Sequence, residues 1–288
     1  MWKIMMTMLI FSQPLHSNAL EVEEDLHIQL QRGEISQYGM NYLDSLFIDQ
    51  KKLEYLMNDL NKKIYKQPVN AKYADNGAII PEKPGITLDR SEFESLFKQL
   101  YYSNKDNDIK IPVAPVHAKV DSGLLQEISV RELGSYATFY RETNKERSYN
   151  IALAAEAINN TVVFPGGTFS FNDTVGQRTP ERGYKKAPVI VRGELSEDIG
   201  GGICQVSSTL FNAVDLKGIQ IIERYAHSRR VPYVPSGRDA TVSWWGPDFV
   251  FKNLYNEPIL IRAKAVNGRM IVAIYTSETA EYFTGKSK

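Results

Sequence analysis

The chain has a single cysteine, Cys204, in 288 residues, so no disulfide can form within it and stability must come from packing. It has no surplus of charge. With 34 basic and 34 acidic residues the formal net charge is zero, which argues against a nucleic-acid partner and against recruitment to an anionic surface. His, Cys and carboxylate residues nowhere fall at metal-ligand spacing, and no Gly-x-x-x-x-Gly-Lys phosphate loop occurs, so neither a metal nor any other cofactor is expected. Beyond residue 20 there is no apolar run long enough for a membrane helix, no internal repeat and no low-complexity tract. What remains is length and a 43% hydrophobic content, enough for one large core or two ordinary ones.

The organisation read along the chain is α+β. Lys3, an apolar run over residues 4–11 and the small-x-small set Ser17-Asn18-Ala19 outline a signal peptide cut before Leu20. Residues 1–19 are therefore expected to be a leader on a secreted or wall-associated protein, with membrane contact only if the leader stays uncleaved. Residues 20–117 read as a small α+β domain. Leu26, Ile28 and Leu30 alternate as a strand, and Leu53, Leu56, Met57, Leu60 and Ile64 make a helical stripe stopped by Pro68. Asp75-Asn76-Gly77 marks a hairpin, Asp89 with Glu92 opens a second helix, and Ile109, Ile111 and Val113 alternate as another strand. Residues 118–133 read as a linker or short helix, 134–278 as a β-rich α+β domain and 279–288 as a tail. In the larger domain Ser148 is the expected cap of a helix bearing Ile151, Ala154, Ala155 and Ile158, closed by Asn159-Asn160. Strands are expected at 241–244, 249–251, 259–263 and 270–275, the last two joined by an Asn267-Gly268 hairpin turn.

The chemistry concentrates at Gly200-Gly201-Gly202-Ile203-Cys204-Gln205-Val206-Ser207-Ser208. Free cysteine usually packs as a small hydrophobe. Here a glycine run leads directly into a helix, with Val206, Leu210, Ala213 and Val214 as its buried stripe, and Cys204 falls in the first turn. Unpaired amides and the positive end of the helix dipole favour a thiolate there and can hold an oxyanion. Gly201, Gly202, Ile203 and Gln205 are the oxyanion candidates. His227 is the best-placed imidazole by sequence, Asp239 either orients it or pairs with Arg238, and Arg229 and Arg238 are candidate carboxylate forks. Ser207, Ser208, Tyr233 and Trp245 complete the candidate substrate contacts.

These residues resemble the VanW family, named from an accessory gene of vancomycin-resistance clusters. The likeness covers 134 to about 275 and rests on Pro165-Gly166-Gly167-Thr168-Phe169-Ser170-Phe171-Asn172, Val175-Gly176, Gly183-Tyr184, residues 200–210, Glu223-Arg224, His227-Ser228, Tyr233-Val234-Pro235, Gly237-Arg238-Asp239-Ala240 and Phe251-Lys252-Asn253. The preceding segment is similar to the peptidoglycan-binding domain often found before VanW domains, through Asn70-Ala71, the turn at 81–85 and Leu88-Asp89. The resemblance implies an L,D-transpeptidase. Cys204 would form a thioester with a donor stem peptide of peptidoglycan, and His227 would serve as base. Two alternatives stand beside it: a cysteine peptidase acting on the same stems, and a non-catalytic wall-binding accessory protein in which Cys204 is only packed.

Overall fold

The computed structural model describes residues 29–30, 35–40, 46–103, 108–191 and 194–282, so the expected leader and the end of the tail lie outside the described residues. The chain has the α+β character read from sequence, with helices packed on small antiparallel sheets. It forms two compact units whose boundary is not linear: residues up to 66 and 86–115 make the smaller, 67–85 and 116 onward the larger.

In the smaller unit, helices Gln50–Ile64 and Arg90–Tyr102 bury Leu53, Met57, Leu60, Ile64, Phe93, Phe97 and Leu100 in one core. Each starts at an aspartate that satisfies orphan amides: Asp49 accepts from the N–H of Lys51 and Lys52, Asp89 from that of Glu92. Of the first expected strand only Gln29–Leu30 is described, paired antiparallel with Ile109–Lys110. The alternation through 109–113 is broken at Pro112, which has no N–H to give a ladder; Val113–Val116 is a separate strand.

The expected hairpin exists as β1 (Lys72–Tyr73) and β2 (Ile79–Ile80) but belongs to the larger unit, not to a domain over 20–117. Burial explains this. Ala71 packs with Val120, Leu125, Ile128 and Leu260, and Asn160 bonds both the N–H and the carbonyl of Tyr73. The stretch expected as a linker or short helix holds helix α1 (Ser122–Glu127), capped by Asp121, and then β3 (Arg131–Phe139), which begins before residue 134.

Helix α2 (Lys145–Ile158) starts at Asn144 rather than Ser148, because the Asn144 side chain accepts from the Arg147 N–H while the Ser148 hydroxyl turns back onto the Asn144 carbonyl. Strands β4 (Thr161–Val163) and β5 (Thr168–Ser170) follow, then the short helix α3 (Phe171–Val175) and a hairpin of β6 (Lys186–Val191) with β7 (Glu194–Ile199). Helix α4 (Ile203–Val214), β8 (Ile219–Glu223), β9 (Val250–Asn253), β10 (Ile259–Val266) and β11 (Arg269–Thr276) complete the unit. An antiparallel sheet ordered β3-β11-β10-β4 carries α2 and α4 against it, and a second sheet is ordered β8-β9-β5. Asn267 and Gly268, both at positive φ (49° and 69°), make the tight β10-β11 turn. Residues 241–244 form no strand; Thr241 bridges Tyr225 and Ser243 bonds Pro247, which leaves this segment as a wall beside Cys204.

Candidate active site

Helix α4 is buried on all sides, polar residues included. The stripe read from sequence is there, but the other faces are equally covered. Gln205 donates to the Thr138 hydroxyl (2.9 Å) and the Phe139 carbonyl (3.0 Å), and Thr209 contacts Thr138. Such satisfied contacts remove the penalty of burying polar groups.

The helix has no side-chain cap. Its N-cap is Gly202, at φ 108°, a conformation closed to most residues. Each glycine before Cys204 also admits a close neighbour. A Cβ on Gly200 would lie 3.1 Å from the stem of Arg178, one on Gly201 2.5 Å from the Ala187 carbonyl oxygen, and one on Gly202 3.0 Å from Cγ of Arg147. The run therefore seats two arginines and the β6 backbone against the start of the helix, beyond giving a substrate room. Among the oxyanion candidates, the Ile203 and Gln205 amides are spent on turn bonds to Gly200 and Gly202. The N–H groups of Gly201, Gly202 and Cys204 make no such bond among the described residues, which leaves donors at the helix start for an anion.

Cys204, His227 and Asp239 are brought together. The Asp239 carboxylate accepts from the His227 backbone N–H and from its Nδ1, both at 2.6 Å, with the two side chains only 7% and 9% exposed. The imidazole lies close enough to the Cys204 thiol for the two to shift each other's ionisation. The sulfur also lies 3.5 Å from the Val242 carbonyl and 3.8 Å from the Thr241 hydroxyl, an acceptor for a thiol and a donor for a thiolate. Burial pushes the Cys204 thiol up, yet the bond to and charge of His227 outweigh it and hold the thiol below its ordinary value. Burial pushes His227 down, but the thiolate and Asp239 hold it above the usual imidazole range, and Asp239 is in turn held low by His227 despite its own desolvation. The arrangement favours a thiolate-imidazolium pair.

Ser207 and Ser208 are fully buried and contribute differently from the substrate contacts expected of them. Ser207 donates to the Ala240 carbonyl, and the Ser208 hydroxyl accepts from the Ala240 N–H at 2.9 Å. They pin the segment that carries Asp239 on one side and Thr241 on the other to the cysteine helix. Cys204 and Asp239 are thus positioned by one helix and one extended segment, and His227, from the stretch after β8, is held to them through its two bonds to Asp239.

Cys204 lines a cleft of about 990 Å³, together with His227, Tyr233, Trp245, Arg147 and Arg178. Tyr233 is pushed well above the usual phenol range by burial, so its hydroxyl stays protonated next to Ser208 and Cys204. Trp245 stands at the cleft, 87% exposed. Arg229 and Arg238 do not reach the cleft. Arg229 lines a separate hollow of about 300 Å³ against His227 and Asp239, whereas Arg238 pairs with Asp215 and Asn212 and lies over the Phe211 ring. Arg238 therefore leaves Asp239 to the imidazole. Arg141, Arg147 and Arg178 line the cleft, none of them anticipated from sequence, and Arg147 and Arg178 are the ones near the charge of Cys204. Burial lowers both, opposed for each by the nearby Cys204 charge among others, and a guanidinium remains cationic regardless. Thr241 and Val242 were likewise read only as strand. Among the described residues no group of His, Cys, Asp and Glu is arranged to hold a metal, and no helix is long and apolar enough to cross a membrane.

Residues 146–275 match a family model described as VanW like protein. The chain is 53% identical over 231 residues to the uncharacterized protein YoaR of Bacillus subtilis (strain 168), covering 80% of this chain and 76% of that protein. It is 32% identical over 114 residues to the Vancomycin B-type resistance protein VanW of Enterococcus faecalis (strain ATCC 700802 / V583), covering 38% of this chain and 42% of that protein. No solved structure matches. All members of the Cys204, His227 and Asp239 set, with Arg147 and Arg178, fall inside the matched region.

Proposed function

The chain belongs to the VanW family, and from that membership and the site geometry we propose that it is a cysteine acyltransferase of the L,D-transpeptidase type, acting outside the cytoplasm on peptidoglycan stem peptides. The observation that carries the reading is the thiol of Cys204 at an uncapped helix start, electrostatically coupled to a histidine that is bonded to a buried aspartate, at the wall of a large cleft. That is the constellation a thiol nucleophile needs. The relative named for vancomycin resistance supports an envelope context for it.

In the proposed reaction the Cys204 thiolate attacks the carbonyl carbon of the third stem residue. The developing oxyanion is met by the Cys204 N–H at the positive end of α4. Collapse breaks the peptide bond, and His227 gives its proton to the departing amine of the terminal D-alanine, leaving a thioester. An acceptor stem then presents a side-chain amine; its nitrogen attacks the thioester, His227 takes the proton, and the thiolate leaves. Asp239 keeps the imidazole oriented and stabilises its charged form throughout.

Intact mass spectrometry after incubation with a disaccharide-tetrapeptide tests this. The expected result is an adduct on Cys204 equal to the donor minus its terminal residue, followed by dimers when acceptor is present. Shortened monomers without dimers would make the enzyme a peptidase. No adduct on the wild-type chain, or the same adduct on Cys204→Ala, would overturn the acyl-enzyme altogether.

A further inference from the structure

The proposed reaction uses the sulfur, the imidazole and the carboxylate, and leaves Arg147 and Arg178, the cleft arginines near Cys204, without a task. Arg178 follows α3, and both its Nη1 and Nη2 are buried with no hydrogen-bond partner among the described residues. The charge of Asp248 acts on Arg178, but its carboxylate is bonded by the Ser170 hydroxyl and the N–H groups of Asn172 and Phe249 and gives the guanidinium no hydrogen bond. The Phe171 ring lies 5.8 Å from the guanidinium carbon and offers only its face. Arg147 is tied by one nitrogen to the Gln205 side chain at 2.8 Å. Both stems lie against glycines of the run that delivers Cys204, so the sequence gives up side chains at Gly200 and Gly202 to bring these cations to the nucleophile.

A desolvated cation normally has an anion beside it, and a guanidinium with two terminal nitrogens unpartnered is matched by a carboxylate bidentately. We propose that Arg178, with Arg147 adding to the field, binds the free C-terminal carboxylate of the donor peptide, one residue beyond the bond that Cys204 breaks. Arg178 lines the cleft together with Cys204, and binding in this way requires its buried fork to turn toward the carboxylate. The assignment to that carboxylate rests on the acyl-transfer reading above. It makes the enzyme selective for donors that end one residue past the scissile bond, because a further residue carries the carboxylate about 3.5 Å farther from the sulfur.

The test is binding to the full chain bearing Cys204→Ala, measured by calorimetry, which needs no reaction. The probes are a stem tetrapeptide ending in D-alanine and the same peptide with its terminal carboxyl converted to an amide. The free acid is expected to bind at least tenfold more tightly. In the additional variant Arg178→Gln the acid should fall to the affinity of the amide, while the amide itself binds as before, which also reports an intact cleft. Arg178→Lys, keeping charge without the fork, should retain part of the preference and serves if the glutamine variant does not fold. Equal affinity for acid and amide, no binding of either, or a preference that survives Arg178→Gln would overturn the proposal. Since the amide keeps every side-chain carboxylate, recognition of one of those would also appear as equal affinity. A thioester missing from the wild-type chain together with a strong acid preference would fell the acyl-transfer reading and leave the anion site standing.

Discussion

Helix Arg90–Tyr102 in the smaller unit and α4 in the larger one begin in opposite ways. The first is opened by Asp89, whose carboxylate accepts from the Glu92 N–H, and it shows solvent one face and the core another. The second begins at Gly202 without any capping side chain and is covered all round. Both face the same problem of orphan amides and a positive helix end. Where a helix only supports the fold, a permanent carboxylate resolves it. Where the helix carries Cys204 no carboxylate takes that place, and under the proposed reaction the amides not spent on turn bonds are kept for a charge that appears in its course. A missing cap on an otherwise well-packed helix is therefore a pointer to chemistry.

The contrast can be broken most strongly at the partner of the sulfur. His227→Gln should lower acyl transfer by about 10²- to 10⁴-fold, the range of a lost general base. It should also shift a pH profile. Cys204 is held low chiefly by His227 against its own burial, so removing the imidazole lets the thiol rise, and the acid limb of Cys204 alkylation by iodoacetamide moves to higher pH. An unshifted limb would mean that the helix end alone ionises the sulfur. Next in size is Gly201→Ala, whose Cβ would sit 2.5 Å from the Ala187 carbonyl oxygen. Overpacking of this kind costs about 1–3 kcal/mol, visible in urea unfolding, and displacement of the β6 backbone should lower transfer as well. The smallest effect belongs to the capped helix: Asp89→Ala should cost about 1 kcal/mol of stability in the same assay and leave the transfer rate unchanged. A rate loss there would contradict the division of labour between the two helix starts.

The same contrast explains what could be read from sequence. Residues whose environment is set by near neighbours were legible: the stripe from Leu53 to Ile64, the Asp89 cap, the Asn267-Gly268 turn, and Cys204 in the first turn after a glycine run. Ser148 was misplaced as a cap because two side chains competed for one helix start and Asn144 won it. Residues 241–244 alternate like a strand, yet their backbone partners are Tyr225 and Pro247, and nothing in the alternation says so. Arg147 and Arg178 left no local trace at all. They arrive from α2 and from the loop after α3, and the only sign of them near Cys204 is the absence of side chains at Gly202 and Gly200. Arg238 looked available because its partner, Asp215, lies 23 positions away.

The solitary sulfhydryl has a chemical corollary. If an oxidant converts Cys204 to a sulfenic acid, the chain contains no second thiol to resolve it as an internal disulfide. Repair then depends on a small thiol or reductase reaching Cys204 through the cleft that it lines. On the proposed acyl-transfer reading, the conversion would silence every oxidised molecule until an outside reductant arrives.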